Sequence, residues 1–349
     1  MIYIDKYNIS EKTPAYIIAE VGVNHNGNMK NAMELIKVAQ KCGVNCVKFQ
    51  TFRAEQIVIQ SAPKADYQLR STNPQETQLD MLKKLELSND DYNKLFEFCN
   101  QLGITFISTP YSEEDVDFLD ELGVPAFKLA SISVVEPQFI EYVALKKKPV
   151  ILSTGMADLE EVREAVKVFD STGNKDLILL QCTTNYPSEY EDCNIRAMVT
   201  MKNKFNKIIG YSDHTRDDFA CITSIALGAK VIEKHLTLDR GLPGPDHSSS
   251  LNPDEFLQLV NNIRKTEIIL GSDMKYPSNV EKQNAKGMRR SIVAKCNIEE
   301  GMVIRKNMLT LKRPASGLAP QYYKQLLGQK AKRKIYKDEL INKSDIKIV

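Results

Sequence analysis

From residue 15 to about 270 one unit recurs: an apolar run of four to six residues, a few polar residues, then a stretch whose apolar positions have helical spacing. Eight such runs are present, at 16–20, 46–50, 104–108, 126–130, 149–153, 177–181, 207–211 and 230–235. Gly43, Gly103, Gly123 and Gly228 stop the helical stretch before the second, third, fourth and eighth runs. Alternating strand and helix signals with near-continuous apolar strands build a parallel sheet covered by helices. Eight units in about 255 residues match an α/β closed barrel of the (β/α)8 or TIM type, although an open doubly wound sheet also satisfies the count.

The strand ends separate these two architectures. Each run finishes in reactive side chains: Glu20; Lys48 and Gln50; Ser108 and Thr109; Lys128 and Ser131; Ser153 and Thr154; Gln181; Ser212, Asp213 and His214; Glu233 and His235. In a closed barrel all eight C-terminal ends converge on one mouth, whereas in an open sheet most stay far apart. Residues 1–270 are therefore expected to form a TIM-barrel catalytic domain. Residues 271–287 are polar and nearly without apolar periodicity, which predicts a linker, and 288–349 alternate short apolar pieces with Gly and Pro turns, which predicts a small β-rich domain. Residues 282–349 carry 17 Lys and Arg against 5 Asp and Glu, leaving 30 against 40 for the rest. Opposite charges suggest a cationic module docked on an anionic one, in preference to nucleic-acid binding.

With 42% hydrophobic and 26% charged residues the chain has a globular composition. No apolar run approaches the roughly 18 residues of a membrane span, and the first 15 residues mix charged with apolar side chains, so a cytoplasmic protein without membrane partners is expected. Seven scattered Cys without a CxxC pair argue against a disulfide framework or a zinc knuckle, and most should be small buried hydrophobes.

His214 and His235 end neighbouring strands of the predicted barrel, so both imidazoles can face one cation, with Glu20, Asp213 or Asp246 as oxygen partners. Mn²⁺, Zn²⁺ or Fe²⁺ suits such an open site; His25 and His247 are weaker candidates. The competing reading leaves both histidines as hydrogen-bonding groups. Lys48, Lys128, Ser131, Ser153, Thr154 and the amides near Gly155 offer charge and donors for a phosphate or carboxylate. Each lysine alone also reads as a salt-bridge partner of Glu20 or Glu233. Arg313, in LKRPASG of the basic domain, is a candidate for substrate recognition if that domain covers the mouth.

The segments AEVGVNHNG (19–27), VKFQTF (47–52), APKADYQ (62–68), STPYSEEDVDFL (108–119), ILSTGM (151–156), IGYSDHT (209–215), IEKHLTLD (232–239), GPDHSSSLNPDEF (244–256) and LKRPASG (311–317), in this order, resemble the sialic acid synthase family over essentially the whole chain. The last sixty residues resemble that family's antifreeze-like domain, a SAF or β-clip fold. The resemblance implies a transferase that condenses phosphoenolpyruvate with the open-chain aldehyde of an N-acylated mannosamine-type sugar, releasing phosphate with help from a divalent metal, Mn²⁺ first and Mg²⁺ or Co²⁺ as alternatives. It implies His214 and His235 as metal ligands and Glu20 as the group that orients or deprotonates a water. Thr109, Lys128, Ser131 and Ser153 would hold phosphoenolpyruvate; Lys48, Gln50, Thr184, Tyr186, Glu233 and Asp246 would surround the sugar. Arg313 would reach the partner's site in a homodimer with exchanged C-terminal domains. Some relatives read CTNxYP where this chain reads CTTNYP, with Thr184 in the Asn position, which leaves the sugar contacts open. N-acetylneuraminate synthase is the expected activity, with N,N'-diacetyllegionaminate synthase as its alternative. Two other classes compete: a Schiff-base aldolase using Lys48 or Lys128, and a binding protein acting through the C-terminal unit.

Overall fold

The structure, a computed structural model, describes residues 1–347 and divides into two compact units after Gly271. The first unit opens with a hairpin, β1 (Ile2–Ile4) and β2 (Tyr7–Ile9). Eight parallel strands follow: β3 (Tyr16–Glu20), β4 (Cys46–Thr51), β5 (Thr105–Pro110), β6 (Phe127–Leu129), β7 (Val150–Ser153), β8 (Leu177–Cys182), β9 (Ile208–Asp213) and β10 (Val231–His235). Each pairs with the next, and β10 pairs back onto β3 with His235 opposite Glu20, which closes the barrel. Helices connect consecutive strands, and those ending at Gly43, Gly103 and Gly123 close on a left-handed glycine as the sequence predicted.

The period of two along each strand divides the barrel into two cores. Ile17, Val47, Phe49, Phe106, Phe127, Leu129, Leu152, Leu179, Ile209 and Ile232 face the helices. Ile18, Cys46, Ile107, Ile151, Ile178, Leu180 and Val231 fill the lumen, where Ile2, Ile4 and Ile9 of the hairpin join them. Above this apolar floor the next residues of the same parity are Glu20, Lys48, Thr109, Lys128, Ser153, Ser212 and Glu233. The polar layer therefore stands on a packed hydrophobic plug and has only the mouth open to it.

Parity also corrects three strand-end expectations. Ser108, Gln181 and Asp213 point outward: Ser108 Oγ lies 2.7 Å from Thr51 Oγ1, Gln181 donates to the Cys193 carbonyl at 3.2 Å, and Asp213 pairs with Lys234 at 2.6 Å. Asp213 is thus no oxygen partner of the histidines.

The second unit begins at Ser272. The stretch expected as a linker, 271–287, is in part helical, since a helix occupies Asn279–Met288 behind an Ser278 cap; its N-terminal signal is a serine followed three residues later by Glu281. Two small antiparallel pairs follow, β11 (Ser291–Ala294) with β12 (Leu309–Lys312) and β13 (Lys330–Ala331) with β14 (Ile346–Lys347). Ile292, Ile298, Ile304, Ile335, Ile341 and Ile346 make its core; of the apolar pieces, SIVA forms β11 and MLTLKRP supplies β12, whereas MVI makes only an isolated bridge from Val303 to Lys330. No helix among the described residues is long and apolar enough to cross a membrane.

Candidate active site

A cavity of about 210 Å³ opens at the C-terminal ends of the strands. It is lined by Lys48, Gln50, Thr109, Lys128, Ser131, Ser153, Thr184, Tyr186, Glu233, His214 and His235, and by Ser212 of the strand-end set, all singled out from sequence, and by Tyr67, Tyr111, Ala130, Ile132, Met156 and Cys182, which the sequence reading did not select. Glu20 lies beside it, and Asp246 reaches His235 from the loop after β10, Oδ2 to Nδ1 3.7 Å. Arg313 belongs to the second unit, where it is exposed and its Nε donates to the Met288 carbonyl at 3.0 Å.

The two lysines are buried with carboxylates between them. Lys48 Nζ pairs with Glu20 and lies 3.7 Å from Glu233, whose other oxygen lies 3.7 Å from Lys128 Nζ. The salt-bridge reading of each lysine is therefore realised, and Glu233 answers the mutual repulsion of the two ammonium groups. Lys48 also donates to Thr109 Oγ1 at 3.0 Å. Burial opposes the charge of both lysines, but they end differently. Glu20 and Glu233 carry Lys48 above its ordinary pKa, whereas Lys128, with only Glu233 near and Lys48 repelling it, is lowered. Burial raises Glu20, assisted by the charge of Glu233 and opposed by Lys48. Burial also raises Asp246, assisted by Glu20, to about 7.

Glu20 is held from its other side by a short chain. Tyr111 donates to the Gln50 side-chain carbonyl at 3.2 Å, and the Gln50 amide nitrogen donates to Glu20 at 3.0 Å. Across the mouth the Gly155 amide donates to Ser131 Oγ at 2.9 Å, so that amide is occupied within the protein. A Cβ at Gly155 would stand 2.3 Å from Thr184 Oγ1 and 2.9 Å from Ser131 Oγ, so only glycine lets the loops after β6, β7 and β8 meet there. Thr154 turns away and donates to the Leu180 carbonyl at 2.9 Å.

His214 and His235 face each other with ring centroids 5.3 Å apart, and Tyr186 packs on both, at 4.1 and 5.7 Å. The Thr183 carbonyl lies 2.7 Å from His214 Nδ1, which leaves Nε2 as the free nitrogen of that ring. His235 Nδ1 is buried without a hydrogen-bond partner, as are Ser153 Oγ and Glu233 Oε2. Burial, then the neighbouring charges of His214 and Lys48, lower His235 well below the usual histidine range and favour the neutral imidazole that binds metals. Two imidazoles with an orphaned nitrogen and a nearby carboxylate fit a divalent ion that keeps open positions for water or substrate. Among the described residues no group of three or more His, Cys, Asp or Glu is arranged to hold an ion by itself. His25 and His247 have other roles: His25 Nδ1 accepts from the Gly27 amide at 3.0 Å, and His247 Nδ1 lies 2.7 Å from Thr237 Oγ1. Six of the seven cysteines are buried thiols, as expected, and Cys296 is exposed.

The sequence profile of the NeuB family matches residues 35–275, and that of the SAF domain matches 289–347. The chain is 44% identical to the N,N'-diacetyllegionaminic acid synthase of Legionella pneumophila, covering 90% of each protein. It is 34% identical to the human N-acetylneuraminate-9-phosphate synthase, over 94% of this chain and 91% of that one. The crystal structure of the N-acetylneuraminic acid synthetase of Leptospira borgpetersenii in complex with citrate superposes with a TM-score of 0.73 at 31% identity, covering 81% of this chain and 94% of that one.

Proposed function

The chain belongs to the NeuB family of nonulosonic acid synthases and carries a SAF domain, and from that premise we propose that it condenses phosphoenolpyruvate with a 2,4-diacetamido-2,4,6-trideoxymannose, as an N,N'-diacetyllegionaminate synthase does. N-acetylmannosamine, the acceptor of an N-acetylneuraminate synthase, is the second reading. The similarity to the Legionella enzyme, 44% against 34% for the human one, supports the diacetamido acceptor. The observation that carries the chemistry is the meeting of two buried ammonium groups, a hydroxyl without a partner and two facing imidazoles in one closed-bottomed cavity.

In this reading Lys128, Ser131, Ser153 and Thr109 hold the phosphate and carboxylate of phosphoenolpyruvate. Lys48, Gln50, Thr184, Tyr186, Glu233 and Asp246 surround the acceptor. His214 and His235 would hold the divalent ion, Mn²⁺ by preference and Mg²⁺ or Co²⁺ otherwise, which supplies Lewis-acid polarisation of the aldehyde. The C3 carbon of phosphoenolpyruvate attacks that aldehyde, water adds to the cationic C2, and phosphate leaves to give the 2-keto acid. Glu20, raised by burial, is suited to take the proton of that water. Orienting the two substrates together contributes up to roughly 7–11 kcal/mol toward the barrier in well-aligned cases. The opposite charges of the two parts of the sequence support a homodimer in which Arg313 serves the partner's mouth.

The test offers phosphoenolpyruvate with a panel of N-acylhexosamines and measures phosphate release. Release should stop in EDTA and return with Mn²⁺. A lysine adduct trapped by borohydride would instead establish the Schiff-base class, and activity indifferent to EDTA would overturn the metal-dependent reading. Arg313→Ala should lose most activity with its oligomeric state intact; full activity would remove Arg313 from the site.

A further inference from the structure

A second pocket of about 590 Å³ adjoins the catalytic cavity, and the two share Tyr67 and Tyr186, whose tilted rings lie with centroids 4.9 Å apart. The inner cavity, at about 210 Å³, lies below the roughly 300 Å³ at which pockets for drug-sized ligands begin, so a hexosamine bound beside a three-carbon phosphate ester extends out of it in this reading. The acceptor must place its aldehyde beside His214 and His235 while its far end passes the tyrosine pair. The outer pocket offers that end an unusual wall. Arg240 is already committed to Glu255 at 2.9 Å and to the Ser250 and Arg216 carbonyls. Arg70 and Arg216 are exposed, and neither side chain has a partner among the described residues; Glu189 lines the same pocket in the same condition.

We infer that the outer pocket is the subsite for the second acylamino substituent of the acceptor, the one farther from its aldehyde, with Arg70, Arg216 and Glu189 as specificity-determining residues. The inference rests on the proposed condensation and adds the chemistry that selects the acceptor. A secondary amide both accepts and donates: its carbonyl oxygen takes a guanidinium N–H, and its own N–H is given to a carboxylate. A phosphate has only acceptor oxygens for this wall at neutral pH and is repelled by Glu189. A hydroxyl offers donor and acceptor on a single oxygen, whereas the amide presents them on separate atoms and adds an acyl group that fills more of the pocket, and on this difference the site discriminates.

The experiment compares three acceptors with phosphoenolpyruvate: 2,4-diacetamido-2,4,6-trideoxymannose, N-acetylmannosamine and N-acetylmannosamine 6-phosphate. It uses the full-length wild type and Arg70→Met, Arg216→Met and Glu189→Gln. Binding of each sugar alone is followed by saturation-transfer NMR, so the comparison stands even without turnover. The wild type should prefer the diacetamido sugar, and each substitution should reduce the ratio of kcat/KM, or of affinity, for that sugar over N-acetylmannosamine by about tenfold. These side chains are exposed, and unchanged melting temperatures check that the variants fold. A uniform fall for all acceptors, no change in the ratio, or preference for the 6-phosphate would overturn the inference. Binding selectivity without phosphate release would uphold the subsite and instead refute the proposed condensation.

Discussion

Two buried ion clusters sit back to back on β9 and β10, and they are built to opposite specifications. Outside the barrel, Lys234 and Asp213 are wholly buried, and every polar atom is answered: Lys234 donates to the Thr215 carbonyl, while Asp213 accepts from the Thr215 amide at 2.9 Å and from its hydroxyl at 3.1 Å. Inside, one residue to either side along β10, Glu233 and His235 each keep an atom without a hydrogen-bond partner, and Ser153 does the same on β7. A saturated buried pair holds the strands in place. An unsaturated cluster facing a cavity holds ligand valence in reserve, since leaving a buried polar group unpaired costs about 1–3 kcal/mol that a ligand can recover.

The contrast can be broken first at its outer half. Lys234→Met should lower the free energy of unfolding by about 3–5 kcal/mol by stranding Asp213, measured by urea titration, with little change in kcat of the molecules that remain folded. A loss under 1 kcal/mol would show that the outer pair is not structural. Inside, Lys128→Met should reduce kcat about 10²–10³-fold, as for removal of one preorganised cation, while the melting temperature holds or rises because a lysine whose charge is disfavoured by burial has gone and Glu233 keeps Lys48. Ser153→Ala removes a hydroxyl that bonds nothing in the free protein. Stability should not change, yet kcat/KM for phosphoenolpyruvate should fall roughly 10- to 100-fold, the worth of one hydrogen bond to a charged group. The smallest effect concerns acid. Burial opposes the Asp213 charge, but Lys234 holds its pKa below the ordinary 3.8. The pair's stabilisation is therefore present above about pH 4 and is lost as pH falls through the depressed value. In Lys234→Met nothing opposes the burial that raises Asp213, so the stability curves of wild type and variant should draw together as pH falls from 7 and lie closest below pH 4.

Strand positions were almost fully legible in the sequence, because parallel barrel strands are apolar on both faces and several of the helices between them end in a left-handed glycine. Which face each residue takes was legible too, by counting in twos, yet reactivity alone grouped outward Ser108, Gln181 and Asp213 with inward Ser212 and Glu233. Counting from Thr109 to Tyr111, or from Ile178 through Leu180 to Cys182, would have found two of the missed lining residues. Tyr67 lies beyond that reach, since it comes from the long connection after β4, where no strand parity applies. The hairpin left a signal that went unused: Ile2, Ile4 and Ile9 flank a tight turn in which Asp5 has φ 53, and their alternation shows a buried face.

The seam of the barrel gives the site a temporal property. Glu20 and His235 stand opposite each other only because the first barrel strand waits for the eighth. A nascent chain that has emerged as far as β9 already carries both lysines, but Glu233 and His235 are missing from the layer around them and the barrel is open at the seam. Competence therefore arrives in one step, at the moment of closure, and a ribosome-bound or prematurely ended chain has no weaker version of the reaction to perform.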